Sequence, residues 1–217
     1  MFDPMANFNM HYNWMMLIII ISFIPLPFWV VNSRMTIILE LLTSKLHQEL
    51  SSLFNKNIMY KGTTLLMISC FMYILMSNLT SNFPYSFCVS AHMSFSMSLA
   101  LPIWLSIIMF QWTNLFKTCS AHLVPLGTPI ILMPLMVMIE LTSNVIRPMA
   151  LAVRLTANLI AGHLLMALLG NTFNFKQMNW MIILNIQTMF LLFELMVAMI
   201  QAYVFSVLMT LYSSEIN

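Results

Sequence analysis

Residues 147–165 read R-P-M-A-L-A-V-R-L-T-A-N-L-I-A-G-H-L-L and set Arg147, Arg154, Asn158 and His163 among side chains that belong in hydrocarbon. A guanidinium keeps its proton at any ordinary pH and carries five N–H donors, so in an apolar medium it has to face protein, water or an anion. An arginine in that setting is functional by default. The plainer alternative is that Pro148 breaks the helix and residues 147–154 form a loop between two short spans.

The rest of the chain chooses between these readings. Of its 217 residues 61% are hydrophobic and 6% charged, against roughly 25% charged in ordinary soluble domains, which makes it an integral membrane protein in contact with the lipid bilayer. A formal charge of +2 with no basic run gives no reason to expect nucleic acid as a partner. Cys70, Cys88 and Cys119 are scattered without metal-ligand or redox spacing and read as small packing residues. The four glycines form no phosphate-cradling motif, so no nucleotide site, cofactor or metal is expected. The opening M-F-D-P-M-A-N-F carries an acid, and no arginine precedes Arg34; neither a secretory signal nor a transit peptide is expected.

Residues 14–31 are apolar over close to the roughly 20 residues a bilayer core requires, with Tyr12, Trp14 and Trp29 at the flanks, and read as a first span. Over 35–60 the pattern changes. Met35, Leu39, Leu42, Leu46, Leu50 and Leu53 share one helical stripe, while Glu40, Ser44, His47, Gln48, Ser51 and Asn55 take the other side, which predicts an amphipathic helix on the membrane surface. Residues 63–79 and 93–112 form two further spans, a hairpin closed by S-N-F-P-Y-S-F, with His92 and His122 expected at the interfaces. Asn78-Leu79-Thr80 matches a glycosylation sequon, but it lies at a span end and is discounted.

Basic residues fix the expected orientation. Arg34, Lys45, Lys56 and Lys61 share a side with Lys117, and the connection between the second and third spans has none, so the positive-inside rule puts 34–61 inside and the N-terminus outside. A loop at 147–154 would then place two arginines outside, which argues for continuous helix instead. Residues 124–170 would run about 70 Å as one helix and 178–211 about 50 Å, both far beyond the hydrocarbon thickness, so both have to tilt strongly. They are joined by N-T-F-N-F-K-Q, whose Lys176 is an exception to the charge rule, and the C-terminus ends inside. The expected fold is therefore all-α: one polytopic membrane domain of about five membrane helices and one amphipathic surface helix, the last two helices long and strongly tilted.

Glu140, Arg147 and Arg154 are spaced seven apart and share a face of the long helix, extended by Asn144 and Asn158; His163 points to roughly the opposite side. On the last helix Glu194 and Gln201 also share a face. Polar stripes on separate faces let one helix border two aqueous spaces. Structural readings stand beside this: Glu140 and Arg147 as an ion pair, Asn158 as interhelical glue, His163 and Glu194 as a buried hydrogen bond, Gln201 as packing support.

A-V-R-L-T-A-N-L-I-A-G-H-L, together with E-L-x-x-x-M-I-Q-A-Y-V-F over 194–205, closely resembles the subunit-a family of rotary ATP synthases, in its animal mitochondrial form. Twenty-four methionines beside many Ile, Asn and Phe are similar to the bias of animal mitochondrial genomes. The resemblance implies a multi-pass protein of the mitochondrial inner membrane, N-terminus outside and C-terminus in the matrix, with a c-ring and other stator membrane subunits as partners. It identifies Arg154 as the arginine facing the ring's proton-carrying carboxylate and leaves the role of Arg147 open. It implies protons arriving through His163 and Glu194, an acid and imidazole pair exchanged relative to many bacterial relatives, and leaving near Glu140. ATP chemistry would belong to other subunits. The competing classes are a proton-coupled secondary transporter, for which no second copy of the Arg154 stretch exists, and a membrane scaffold.

Overall fold

The computed structural model describes residues 13–22, 33–53, 62–83, 86–114, 116–117, 120, 124, 129–171 and 180–214. They form six α-helices: α1 Met16–Ser22, α2 Arg34–Leu53, α3 Thr63–Ser81, α4 Met93–Asn114, α5 Met133–Asn171 and α6 Trp180–Ser214, and the described residues contain no strand. The all-α expectation is borne out. Four of these helices, α3 to α6, are long and apolar enough to cross a membrane, and the shorter apolar stretch Asn13–Ser22 belongs to the expected first span. The rest of that span, residues 23–31, lies outside the described residues, as do 54–60 of the surface helix, His122 and the turn containing Lys176.

Helix α5 is continuous through Pro148, whose side chain is buried, so the loop reading of 147–154 fails. It begins later than the expected residue 124, however: Val124 lies in a bend and Ile130–Leu132 is a 3-10 turn closed by the Leu132 N–H donating to the Pro129 carbonyl at 3.0 Å. Two prolines explain the difference. Pro129 and Pro134 have no N–H to donate, and a proline restricts the residue before it, but Pro134 fits the first turn of a helix where that donor is not needed. At 1.5 Å per residue α5 is still about 59 Å long and α6 about 52 Å, nearly twice a bilayer core, so both have to slant.

The helices pack α3 on α6, α4 on α5 and α5 on α6, with the 3-10 turn Val89–Ala91 seated among α3, α4 and α5. Lipid is as apolar as leucine, so such contacts depend on close approach and dispersion more than on hydrophobic transfer. Small buried residues supply that approach: Ser77 on α3, Ser96 and Ala100 on α4, Ala152 on α5, Ala202 and Ser206 on α6. Buried hydroxyls are satisfied within their own helices, as where Ser77 donates to the Ile74 carbonyl and Ser206 to that of Tyr203.

The buried rows of α3 and α6 share one core. Met67, Phe71 and Ile74 belong to the same core as Met209, Phe205 and Ala202, and beyond them the Asn78 amide donates to the Ala198 carbonyl at 3.3 Å. Helix α2 lies against α3 and α6, and Leu39, Leu42, Leu46 and Leu50 of its predicted stripe meet protein, whereas Met35 and Leu53 at the ends are exposed. Ile37, Ile38 and Leu41 make a further exposed apolar strip that the single-stripe reading overlooked. Gly62, with φ of 112°, turns the chain into α3 in the left-handed region where a Cβ would be strained.

Candidate functional site

Two faces of α5 carry the candidate residues. Leu151, Leu155, Leu159, His163 and Met166 are buried, whereas Arg154 and Asn158 lie on the exposed side among Ala150, Ala157 and Ala161. Among the described residues no hydrogen bond or ion pair reaches the Arg154 side chain. A permanent cation on an alanine-lined strip of a membrane helix leaves room for another helix to come close and gives it a charge to meet.

Further along the predicted stripe, toward the start of α5, an Arg147 nitrogen approaches a Glu140 carboxylate oxygen at 4.0 Å, with the two side chains 30% and 45% exposed. At that distance and exposure the pair contributes about 0–1 kcal/mol, orienting the side chains more than holding the fold. The Arg147 guanidinium also lies 5.1 Å over the Tyr212 ring, which ties this part of α5 to the end of α6. Asn144 is half-buried between the two charged positions.

His163, Glu194 and Gln201 are 7%, 8% and 5% exposed, so all three polar side chains are enclosed. Glu194 reaches across from α6 to α5 and lies so close to the Gly162 backbone that a Cβ there would overlap its Oε1. Gly162 directly precedes His163, so the carboxylate lies against the turn of α5 that carries the imidazole. Two turns along α6 from Glu194, the Gln201 Oε1 accepts a hydrogen bond from the Asn158 amide at 3.1 Å. Asn158 is one turn from Arg154 on the same exposed strip. The polar groups between α5 and α6 thus lead from His163 and Glu194, by way of Gln201 and Asn158, to Arg154.

Several atoms along this seam are buried with no protein partner among the described residues: His163 Nε2, Glu194 Oε1, Gln201 Nε2 and, on α3, Asn78 Oδ1. Each would cost about 1–3 kcal/mol if left dry. Buried groups of this kind are ordinarily satisfied by bridging water, which separates these side chains from the hydroxyls that close on their own helices.

All the singled-out residues except Asn144 take part in one of these groupings, and the seam brings together His163, Glu194, Gln201, Asn158 and Arg154. Glu140 and Arg147 form a separate cluster. Sequence reasoning missed Gly162, whose role depends on what faces it, and Tyr212. It also passed over Asn78, completely buried between helices, as an incidental sequon.

A family model described as ATP synthase A chain matches residues 10–214. The chain is 47% identical over 219 residues to ATP synthase subunit a of Drosophila simulans, covering 100% of this chain and 96% of that one. It is 48% identical over 217 residues to that of Locusta migratoria, covering 99% and 96%, and 45% identical over 220 residues to that of Anopheles gambiae, covering 100% and 96%. A match over nearly the whole chain, at this level of identity, makes it a member of the ATP synthase A chain family.

Proposed function

We infer that this chain is the proton-translocating stator subunit of a rotary ATP synthase, a multi-pass protein of the mitochondrial inner membrane whose partners in the complex carry the ATP chemistry. The observation that carries the mechanism is the meeting of two features at one place: Arg154 exposed and unpaired among the described residues, and the α5–α6 polar seam ending beside it at Asn158. The partner facing Arg154 is the c-ring. A proton arriving from the outer side passes from His163 and Glu194 along Gln201 and Asn158 to a ring carboxylate, which becomes neutral and can turn through lipid. On the other side of Arg154 the carboxylate meets the fixed cation, ionises and releases its proton toward the matrix near Glu140. The same cation repels a proton that would cross directly. The N-terminus is then outside and the C-terminus in the matrix, as the distribution of basic residues supports.

Arg154→Ala is expected to abolish ATP-driven proton pumping in vesicles holding the assembled complex, and Arg154→Lys to fail nearly as badly, because an ammonium on a flexible stem does not reproduce a planar fork. Arg147→Gln, which removes the contacts to Glu140 and Tyr212, should be much milder. Wild-type pumping in the Lys variant would sink this assignment.

Gly162→Ala places a methyl group where the Glu194 carboxylate lies. Proton flux should fall roughly tenfold to a hundredfold, as displacements near 1 Å commonly cost, with the complex still assembled. Unchanged flux in an assembled Ala variant would mean that Glu194 works without this placement. For the exit, Glu140→Gln should slow proton release to the matrix without loss of assembly. If that variant pumps normally across pH, Glu140 is only the partner of Arg147.

A further inference from the structure

Between α2 and the first two turns of α3 runs an open groove of about 790 Å³ that the proton path does not use. One wall is the polar side of α2. There the Thr43 hydroxyl donates to the Glu40 carbonyl at 3.1 Å and the Ser44 hydroxyl to the Leu41 carbonyl at 3.0 Å, so their protons are taken and only lone pairs remain for a ligand. The Glu40 carboxylate lines the same wall and, ionised, accepts only. His47 beside it adds one acceptor and one donor when its ring is neutral. Among the described residues no lysine or arginine lines the groove. A wall of this kind suits a cation that has N–H groups to donate.

The opposite wall has the reverse character. Gly62 lines it and brings no side-chain cap to α3, whose first backbone bond runs from the Leu66 N–H to the Gly62 carbonyl at 3.0 Å. The N–H groups of the first turn therefore have no partner inside the helix, and the potential at this end is positive. Further along the same wall Leu65, 72% exposed, and Ile68 carry the groove along a helix apolar enough to cross the membrane. On α2 the exposed Ile37, Ile38 and Leu41 flank Glu40, which sets this part of the surface helix against lipid. Acceptors, then donors, then an apolar run match the ammonium, phosphate and acyl chain of a phospholipid in that order. A lysine from a partner chain would satisfy the first wall and leave the rest unmatched.

We propose that the α2–α3 groove binds one phospholipid with a primary ammonium headgroup, of the phosphatidylethanolamine class. Its ammonium donates to the Glu40 carboxylate and to the Thr43 and Ser44 oxygens, its phosphate lies at the start of α3, and one acyl chain follows Leu65 and Ile68. A lipid held in this way ties the surface helix to the first turn of a spanning helix at the membrane boundary. The site uses none of the residues assigned to the proton path.

The test places the assembled complex in phosphatidylcholine vesicles with a trace of phosphatidylethanolamine whose acyl chain carries a photoactivated diazirine, and locates the labelled peptides by mass spectrometry. Label is expected on residues 63–69. It should fall when unlabelled phosphatidylethanolamine replaces part of the bulk lipid and persist when phosphatidylglycerol, which has no ammonium, replaces the same part. The same probe with a choline headgroup, whose nitrogen has no N–H, should label these residues roughly tenfold less, the scale of one charge-assisted hydrogen bond. Glu40→Gln should cause a similar loss with the ethanolamine probe while label elsewhere on the complex and ATP-driven pumping stay unchanged. Equal labelling by both probes, or label indifferent to Glu40→Gln, would show ordinary boundary lipid and overturn the proposal. Stronger displacement by phosphatidylglycerol would overturn it too, as would no label on residues 63–69 while other helices are labelled, since protein would then cover the groove. Should Glu40→Gln fail to assemble, the comparison of headgroups on the unaltered complex decides alone.

Discussion

A guanidinium that cannot be neutralised, carried on a helix that lipid and packed neighbours surround, is the constraint on which the rest of this molecule depends. Arg154 sits on the exposed strip of α5 with alanines on either side, so nothing within the described residues screens its charge. The helix that carries it has to be long and slanted to present that strip laterally while its opposite face buries Leu151, Leu155 and Leu159 in the core. Pro148, buried one and a half turns earlier, is accommodated inside the helix because the surrounding helices hold the backbone in place.

The division of labour among polar residues follows from hydrogen-bonding capacity. Serine and threonine hydroxyls can close on a carbonyl one turn back, so the fold uses them freely at helix contacts. Amide, imidazole and carboxylate groups cannot all do this, and among the described residues those with buried atoms that no protein group bonds lie on α3, on the connection after it and on the α5–α6 seam. Where they meet, spacing is set by the smallest residue available: Gly162 admits the Glu194 carboxylate to a depth that alanine would not. A scaffold that only packed against partners would not keep this row of buried atoms, unbonded among the described residues, ending beside a cation that no described residue pairs with.

Much of this was legible from residue spacing alone. The seven-residue steps through Glu140, Arg147 and Arg154 and through Glu194 and Gln201 needed only helical geometry, and the apolar lengths gave the spanning helices. The start of α5 was misjudged because hydrophobicity continues through Pro129 and Pro134 although the backbone cannot donate there. The apolar stripe of α2 was legible, but periodicity does not distinguish lipid from a neighbouring helix as the surface it meets. Gly162, Asn78 and Tyr212 are significant only through residues distant in the chain, Glu194, Ala198 and Arg147, and no local pattern announces such pairings.

The central claim is that one fixed charge separates two half-paths that would otherwise join. It is tested most directly by measuring passive proton conductance and ATP synthesis together, in the same membranes, for Arg154→Gln, which keeps hydrogen-bonding capacity and removes the charge. Protons are expected to cross this variant down an imposed gradient while no ATP is made. A variant that conducts no protons, or one that still couples conduction to ATP synthesis, would contradict it.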